Sequence, residues 1–191
     1  TVRTFALKGE LYKLVSIKDR NGNELTLQYG ANNEISTITD TRGKVITFYY
    51  DSKNRIDYFQ DWGGRKFDFE YDAAGNLVSK TSPTTARYPS GKKTTYTYLS
   101  DQYYWWLEHN LATITNPRGE VFLKNTYYDN DCVKEQQYGD ETQVFKFEYA
   151  ALKITETDRN GNITDYEFST AGNCVKKVEY TNRNIRPTDP D

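Results

Sequence analysis

The sequence is poor in the residues that build metal sites, disulfides and membrane helices. Its 191 residues include no methionine, one histidine, two cysteines and five prolines. No run approaches the roughly 18 apolar residues of a membrane helix, and no charged segment followed by an apolar one opens the chain. We therefore expect no membrane span. Because the chain opens at Thr1 and lacks methionine, we expect it to be an excised or processed piece of a longer protein.

The single histidine and the two cysteines exclude several kinds of site. A His-based metal site or a catalytic triad needs several such side chains, so His109 is interpreted as a loop residue. Cys132 and Cys174 stand 42 residues apart, which excludes a CxxC site. In a stack of hairpins this spacing corresponds to about 19 Å, beyond the reach of a disulfide. Two free thiols are predicted, and no cofactor or metal.

Charge and composition indicate a polar but folded chain. Lys and Arg number 25 against 27 Asp and Glu, for a net charge of -2. Charges of both signs are intermixed along the sequence, so no basic patch indicates that nucleic acid is a partner. Hydrophobic residues make up only 36%, yet aromatic residues reach 15%, with 17 tyrosines. That aromatic content is too high for a disordered chain.

A 21-residue repeat organises the sequence. Residues 40–56, DTRGKVITFYYDSKNRI, are followed at this interval by residues 61–77, DWGGRKFDFEYDAAGNL. A period of this length indicates a short supersecondary unit stacked on its neighbours. Turn residues and apolar residues share the period: Asp19, Asp40 and Asp61; Gly22, Gly43 and Gly64; Tyr29, Tyr50 and Tyr71; Leu14, Ile35, Ile56 and Leu77.

Each unit is interpreted as two antiparallel strands and two turns. Asp-x-x-Gly sequences such as 40–43 favour hairpins, because Asp bonds nearby backbone amides and Gly accepts a positive φ. The strands alternate apolar and polar residues, as in Ile46, Phe48 and Tyr50. A ladder of cation ligands is the other reading of the turn aspartates, but turn formation explains their spacing. We predict an all-β, antiparallel meander of hairpins, which must curve because open sheets seldom exceed about ten strands.

The register is interrupted twice and then resumes. Loop insertions are predicted near residues 82–90 and 100–110, and the second is the one place where a short helical turn fits. The repeat continues from Leu111, with its weakest unit at 133–154, where Asp140 stands in the usual Gly place. Residues 1–13 are predicted to form a leading strand, 14–180 the repeat region and 181–191 a tail or linker.

The unit resembles a known repeat. Residues 64–77 are similar to the YD repeat, whose signature runs Gly, a spacer, Tyr-x-Tyr-Asp-x-x-Gly-Arg-Leu. The chain therefore resembles part of an Rhs protein, a group that shares its repeats with teneurins and with shell components of insecticidal toxin complexes. Copies and departures are as follows: Tyr50-Asp51, Tyr71-Asp72 and Tyr128-Asp129 keep the central pair, Gly30 and Ala150 replace the Asp, and Phe168 replaces the Tyr.

The resemblance implies a structural role. Repeats of this family wind into a spiral β-shell around a C-terminal toxin or effector, in exported or secreted bacterial proteins. The implied partners are the remaining repeats of the same polypeptide and the enclosed toxin domain. The family's self-cleavage signature, Asp-Pro-x-Gly, is not matched at Asp189-Pro190-Asp191, so we expect no enzyme in this segment. The residues expected to carry the structure are Gly22, Tyr29, Gly43, Tyr50, Asp51, Gly64, Tyr71, Asp72, Gly119, Tyr128, Asp129, Tyr149 and Gly161.

Four adjacent aromatic residues in the second insertion suggest an alternative function. Tyr103, Tyr104, Trp105 and Trp106 could form an exposed platform that stacks on sugar rings or captures a partner protein. The alternative is therefore a carbohydrate- or host-surface-binding module. A plug that folds back over the apolar face of the sheet is the competing interpretation of the same residues.

Overall fold

The computed structural model describes residues 1–100, 105–139 and 142–181. Sixteen antiparallel strands follow one another in chain order within one sheet, with β1 first and β16 last. A 3-10 turn at Trp105–Leu107 is the only helical element in those ranges. The predicted all-β antiparallel meander is therefore confirmed.

The chain forms two compact units, Thr1–Thr94 and Thr95–Asp191. The first contains β1 Val2–Lys8, β2 Leu11–Lys18, β3 Glu24–Tyr29, β4 Ile35–Thr39, β5 Val45–Tyr50, β6 Ile56–Gln60, β7 Lys66–Tyr71 and β8 Leu77–Thr81. The unit boundary falls within β9 Lys93–Tyr98. The second contains β10 Leu111–Thr115, β11 Val121–Tyr127, β12 Val133–Tyr138, β13 Val144–Ala150, β14 Lys153–Thr157, β15 Ile163–Phe168 and β16 Cys174–Tyr180.

The strand register places the alternating apolar residues in a row on one side of the first unit. Ile38 pairs with Leu27 on one neighbouring strand and with Ile46 on the other. Farther along, Phe59 pairs with Phe48 and with Phe67, and its ring stacks on Phe67 at 4.5 Å. Because side chains alternate across a strand, the intervening threonines and charged residues lie on the opposite face.

Little of this apolar row is fully enclosed. Leu107 and Leu123 are the only buried apolar side chains in the described ranges, with 5% and 9% of their surface exposed. Ser79, with 1% of its surface exposed, is the most enclosed of the described residues. A β-sheet normally buries its apolar face against a second layer. Most apolar strand residues of each unit are instead half-buried, so each unit lacks an enclosed core of its own.

The ends and insertions have the following structure. Residues 1–13 hold β1, a turn at Gly9 and the start of β2. The first insertion leaves and re-enters the sheet at Ser82 and Lys92, whose N–H and C=O are bonded at 3.0 Å. The second does so at Leu99 and Asn110, bonded at 2.9 Å. Asp140, Tyr103, Tyr104 and the tail beyond residue 181 lie outside the described residues. The two cysteines are free thiols, as predicted.

Candidate functional site: the hairpin closures and the aromatic insertion

In most hairpin turns an opening aspartate holds the turn together with its carboxylate. In residues 61–65, Asp61 Oδ1 accepts the N–H of Gly63 at 2.9 Å and of Arg65 at 3.0 Å. Asp61 Oδ2 accepts Arg65 Nε at 2.6 Å. The backbone closes around it, since Gly64 N–H donates to the Asp61 carbonyl at 2.9 Å. One carboxylate therefore satisfies the donors on the inside of the turn.

The aspartate of the Tyr-Asp pair does the same work in the second turn of the unit. Asp51 Oδ1 accepts the N–H of Lys53 and of Arg55, both at 2.9 Å, and Arg55 Nε donates to Oδ2 at 2.8 Å. Asp72 likewise accepts the N–H of Asn76 at 2.8 Å. The sequence placed Asp51 and Asp72 in the repeat signature but did not predict that their carboxylates close this turn. The available signal was an Asp three residues before a residue that accepts positive φ.

One further turn is closed by other side chains, and in another a carboxylate occupies the space without these hydrogen bonds. Asn116 accepts the N–H of Arg118 at 2.9 Å and of Glu120 at 3.2 Å, and its amide donates to Glu120 Oε2 at 2.9 Å. Here the carboxylate has moved to the far end of the turn. At Gly30 the side chain is missing, and a Cβ placed there would lie 2.0 Å from Glu34 Oε1. The Glu34 carboxylate thus fills the space that an aspartate occupies elsewhere.

Hydrogen bonding keeps the turn carboxylates charged. The side chain of Arg65 donates to Asp61 and lowers the pKa of that carboxyl below its ordinary value. The backbone N–H of Arg55 is the main cause of the lowered pKa of Asp51. Asparagine side chains at the far end of the turn lower the pKa of the carboxyls of Asp19, Asp72 and Asp158. Each of these carboxyls is therefore negative at neutral pH.

The turn glycines lie in the left-handed region of φ. The values are 86° at Gly22, 75° at Gly43, 76° at Gly64, 84° at Gly119 and 78° at Gly161. Asn33 and Asn54 occupy the equivalent place in the second turn of their units, with φ of 66° and 61°. Asparagine tolerates this region better than other residues with a Cβ. This position of the turn therefore requires a left-handed φ, and either glycine or asparagine can supply it.

In several hairpins a tyrosine hydroxyl closes the other end. Three consecutive hairpins of the first unit share the contact, in which the hydroxyl donates to a carbonyl 15 residues earlier on the partner strand. We call this contact the tyrosine clip. The clips are Tyr29 to Leu14 at 2.8 Å, Tyr50 to Ile35 at 2.7 Å and Tyr71 to Ile56 at 3.0 Å.

A β-bulge explains why that carbonyl needs a side-chain donor. In the β3–β4 pair, Gln28 is opposite Thr37 but Tyr29 is opposite Ile35, so Ser36 is the extra residue. On its other side, β4 pairs with β5 only from Thr37 onward. The bulge thus leaves the Ile35 carbonyl outside the β4–β5 ladder, and the Tyr50 hydroxyl reaches it. Bulges bend a strand and interrupt its pairing in this way.

In the described part of the second unit, Tyr127 makes the clip with altered spacing. Tyr127 donates to the Leu111 carbonyl at 2.9 Å, 16 residues back. The additional residue is a second bulge, since Ile114 pairs with Leu123 but Thr115 pairs with Val121. Tyr128, which the sequence placed in the clip position, donates instead to the Phe147 carbonyl at 3.1 Å.

The turn after Tyr128 is also shifted by one residue. Tyr128 N–H donates to the Cys132 carbonyl at 2.8 Å, and Asp131 takes the positive φ of 72°. Asp129 is therefore the second residue of its turn and not the corner residue, unlike Asp51 and Asp72. Phe168 stands in the clip position of a later hairpin and has no hydroxyl to donate.

The second insertion is anchored to this shifted turn. Trp106 Nε1 donates to the Asp129 carbonyl at 2.8 Å, and Asn110 Nδ2 donates to Asp131 Oδ1 at 2.6 Å. Leu107 between them is buried, as a plug would be. Trp105 is 72% exposed and lies edge-on to Trp106, with ring centroids 5.9 Å apart. Leu107 thus packs inward, whereas Trp105 presents its indole to solvent.

The structure offers no metal centre in the ranges it describes: no group of three or more His, Cys, Asp or Glu side chains there is placed to hold an ion. None of the described helical segments is long and apolar enough to cross a membrane.

Comparison with known proteins gives matches only among solved structures. No family model and no curated protein matches the sequence. The crystal structure of TcdB2-TccC3-Cdc42 matches 93% of this chain at 13% identity and a TM-score of 0.49. That of TcdB2-TccC3-TEV matches 88% at 9% identity and 0.32, and a Tc holotoxin pore from Photorhabdus luminescens matches 82% at 10% and 0.25. The matches span 11%, 12% and 13% of those chains. All three TM-scores are below 0.5.

Proposed function

We propose that this chain is a wall segment of an Rhs-type shell that encloses a C-terminal toxin or effector, and that the segment itself catalyses no reaction. The observation that carries the proposal is the repeated hairpin, closed by an aspartate turn at one end and by a tyrosine clip at the other. Strands in unbroken chain order let such hairpins be added one after another. This is the arrangement that the resemblance to YD repeats implies.

The incomplete burial of the apolar row supports a containing role. A single sheet layer leaves the apolar row half-covered, so further protein is needed to shield it. Additional repeats and the enclosed segment of the same polypeptide are the partners proposed here. The proposal also includes export from a bacterial cell, since an enclosed toxin acts outside the cell that makes it.

Protease protection of the enclosed segment tests the proposal. The full-length product that contains this chain is treated with trypsin, and the survival of the segment after the repeats is followed by mass spectrometry. We expect that segment to persist in the intact protein and to be digested when it is expressed alone. Replacing Tyr29, Tyr50 and Tyr71 together by Phe should shorten its survival, while Tyr49→Phe should not. Equal digestion of the segment in the intact and isolated forms contradicts an enclosing wall.

A further inference from the structure

A groove opens where one hairpin of the second unit lacks its clip. The β12–β13 ladder runs from Gln137 opposite Val144 to Glu135 opposite Lys146 and ends there. In the first unit a tyrosine hydroxyl closes this position. Among the described residues, the Tyr149 hydroxyl donates to no carbonyl of β12. A groove of about 520 Å³ lies at this end of the hairpin, between β13 and the turn that joins β11 to β12.

Tyrosine rings form one wall of this groove. Tyr149 is 39% exposed, and its ring meets Tyr128 edge-on with centroids 6.2 Å apart. The hydroxyl of Tyr128 is fixed by the Phe147 carbonyl, which holds that ring in place. Tyr127, whose hydroxyl is bonded to Leu111, also lines the groove. The aromatic wall is thus held by hydrogen bonds within the protein before any ligand arrives.

Polar side chains of both charges line the rest of the groove. Asp129, Asn130, Lys134 and Glu148 all contribute to it and are solvent-exposed. Together they offer carboxylate and amide acceptors and amide and ammonium donors. The two carboxylates outnumber the one ammonium, which disfavours a phosphate or other anion.

The exposed indoles of the second insertion lie beside the groove. Trp106 donates to the backbone carbonyl of Asp129, which is itself a groove residue. Trp105 contacts Trp106 edge-on, with ring centroids 5.9 Å apart, and is 72% exposed. An aromatic surface therefore continues beyond one end of the groove. A large exposed indole marks a contact surface, because its apolar area is stabilised by burial against a partner.

We propose that this groove binds a neutral oligosaccharide. Sugar rings present apolar C–H faces that pack on aromatic rings and hydroxyls that both donate and accept hydrogen bonds. Tyr149 is the stacking platform, Glu148 and Asn130 bond ring hydroxyls, and Trp105 contacts a further sugar unit. A groove lined by solvent-exposed side chains, with an exposed indole nearby, suits a chain of sugars more than a single enclosed small molecule.

Titration of the chain with neutral oligosaccharides tests the site. Cellohexaose, hexa-N-acetylchitohexaose and maltohexaose are added to the full 191-residue chain, and binding is followed by calorimetry and tryptophan fluorescence. We expect at least one of them to bind, and Tyr149→Ala to weaken that binding about tenfold or more. Glu148→Gln, which keeps the size of the side chain, should weaken it severalfold.

The matched control is Tyr49→Ala, since Tyr49 is also 39% exposed and also contacts one tyrosine ring, that of Tyr58. We expect it to leave saccharide affinity unchanged. The proposal is overturned if none of the three saccharides binds up to about 10 mM, or if Tyr149→Ala and Tyr49→Ala weaken binding equally. If Tyr149→Ala does not fold, unchanged affinity of the Glu148→Gln variant overturns it. Neither result bears on the protease protection of an enclosed segment.

Discussion

The Tyr50 hydroxyl donates a 2.7 Å hydrogen bond to the carbonyl of Ile35, the residue that precedes a β-bulge. At the other end of the same hairpin, Asp40 Oδ1 accepts the N–H of Arg42 at 2.9 Å and of Lys44 at 2.8 Å. The hairpin is therefore closed by a side chain at each end, with the backbone ladder between them.

Removing the Tyr50 hydroxyl should destabilise the chain measurably. Tyr50→Phe leaves the half-buried Ile35 carbonyl without its donor, and an unsatisfied polar group of this kind costs about 1–3 kcal/mol. Urea unfolding of both proteins measures the difference in the free energy of unfolding. Tyr49→Phe is the matched control, because its ring lies on the opposite face and stacks on Tyr58 at 4.3 Å. Equal losses in the two variants would show that the clip adds nothing to stability.

The corner glycine should be replaceable by asparagine and not by valine. Gly43 has φ of 75° and nothing within 4 Å of the place where a Cβ would stand, so a substitution there costs only backbone conformation. That cost is about 1–2 kcal/mol for ordinary residues. We expect Gly43→Val to lower the free energy of unfolding by at least this amount. Gly43→Asn should lower it by less than half as much, since Asn33 and Asn54 adopt a similar φ.

Gly91 provides the contrasting case for that substitution. A Cβ at Gly91 would lie 2.2 Å from the Ser82 carbonyl oxygen, so asparagine cannot be accommodated without moving backbone. Thermal melting of Gly91→Asn should show a larger loss than Gly43→Asn. Equal melting temperatures of Gly43→Asn and Gly91→Asn would show that the steric difference between the two positions does not decide which residue each accepts.

In the turn at 116–120 the amide comes first and the carboxylate last. We therefore predict that exchanging these two side chains preserves the stability of the turn. Asn116→Asp would place a second carboxylate beside Glu120, whose Oε2 lies 2.9 Å from the Asn116 amide. We expect this variant to lose a few tenths to about 1 kcal/mol at neutral pH. The double change Asn116→Asp with Glu120→Asn recreates the arrangement of Asp158 with Asn162 and should recover the loss. A double-mutant cycle in urea checks this, and additive losses would contradict it.

Acid should unfold the chain through its turn aspartates. The pKa of Asp19, Asp51, Asp61, Asp72 and Asp158 is lowered in the folded state, so the unfolded chain binds more protons as the pH falls. The stability they supply is complete above the unfolded pKa of about 3.9 and is lost as pH falls through the folded values. The melting temperature should thus begin to fall near pH 5 and continue to fall below about pH 4.

Substitution at one turn provides the control for that dependence. Asp61→Asn retains an oxygen acceptor, as Asn116 does in its own turn, but does not titrate. We expect this variant to lose less stability than the wild type between neutral and acid pH. An identical pH profile of the melting temperature would assign the acid sensitivity to other groups.

The alternation and the repeat spacing were sufficient to predict the meander. Ile38 pairs with Leu27 and Ile46, as the alternation implies, because a slip of one residue would move the apolar side chains to the other face. The bulges were not visible in the sequence. An extra residue such as Ser36 looks like any other strand residue, and only the pairing on both sides reveals it.

The displaced clip in the second unit shows why motif matching was insufficient for the site. Tyr127 and Tyr128 are adjacent and chemically identical, and the bulge near Phe122 decides which hydroxyl reaches Leu111. The clip tyrosine follows its carbonyl by 15 residues in the first unit and by 16 residues here. This spacing was the one available signal of which tyrosine makes the clip. The groove could not have been predicted, because it arises from a contact that one hairpin does not make.

Closure at both ends limits where a hairpin of this kind can grow. A residue added within a clipped strand moves the tyrosine away from its carbonyl unless a bulge takes up the extra residue, as it does before Tyr127. The two long insertions accordingly join the sheet at Ser82 with Lys92 and at Leu99 with Asn110, outside the strands. Any new element that evolution or an engineer adds to this protein must therefore project from a rim, where its length is free.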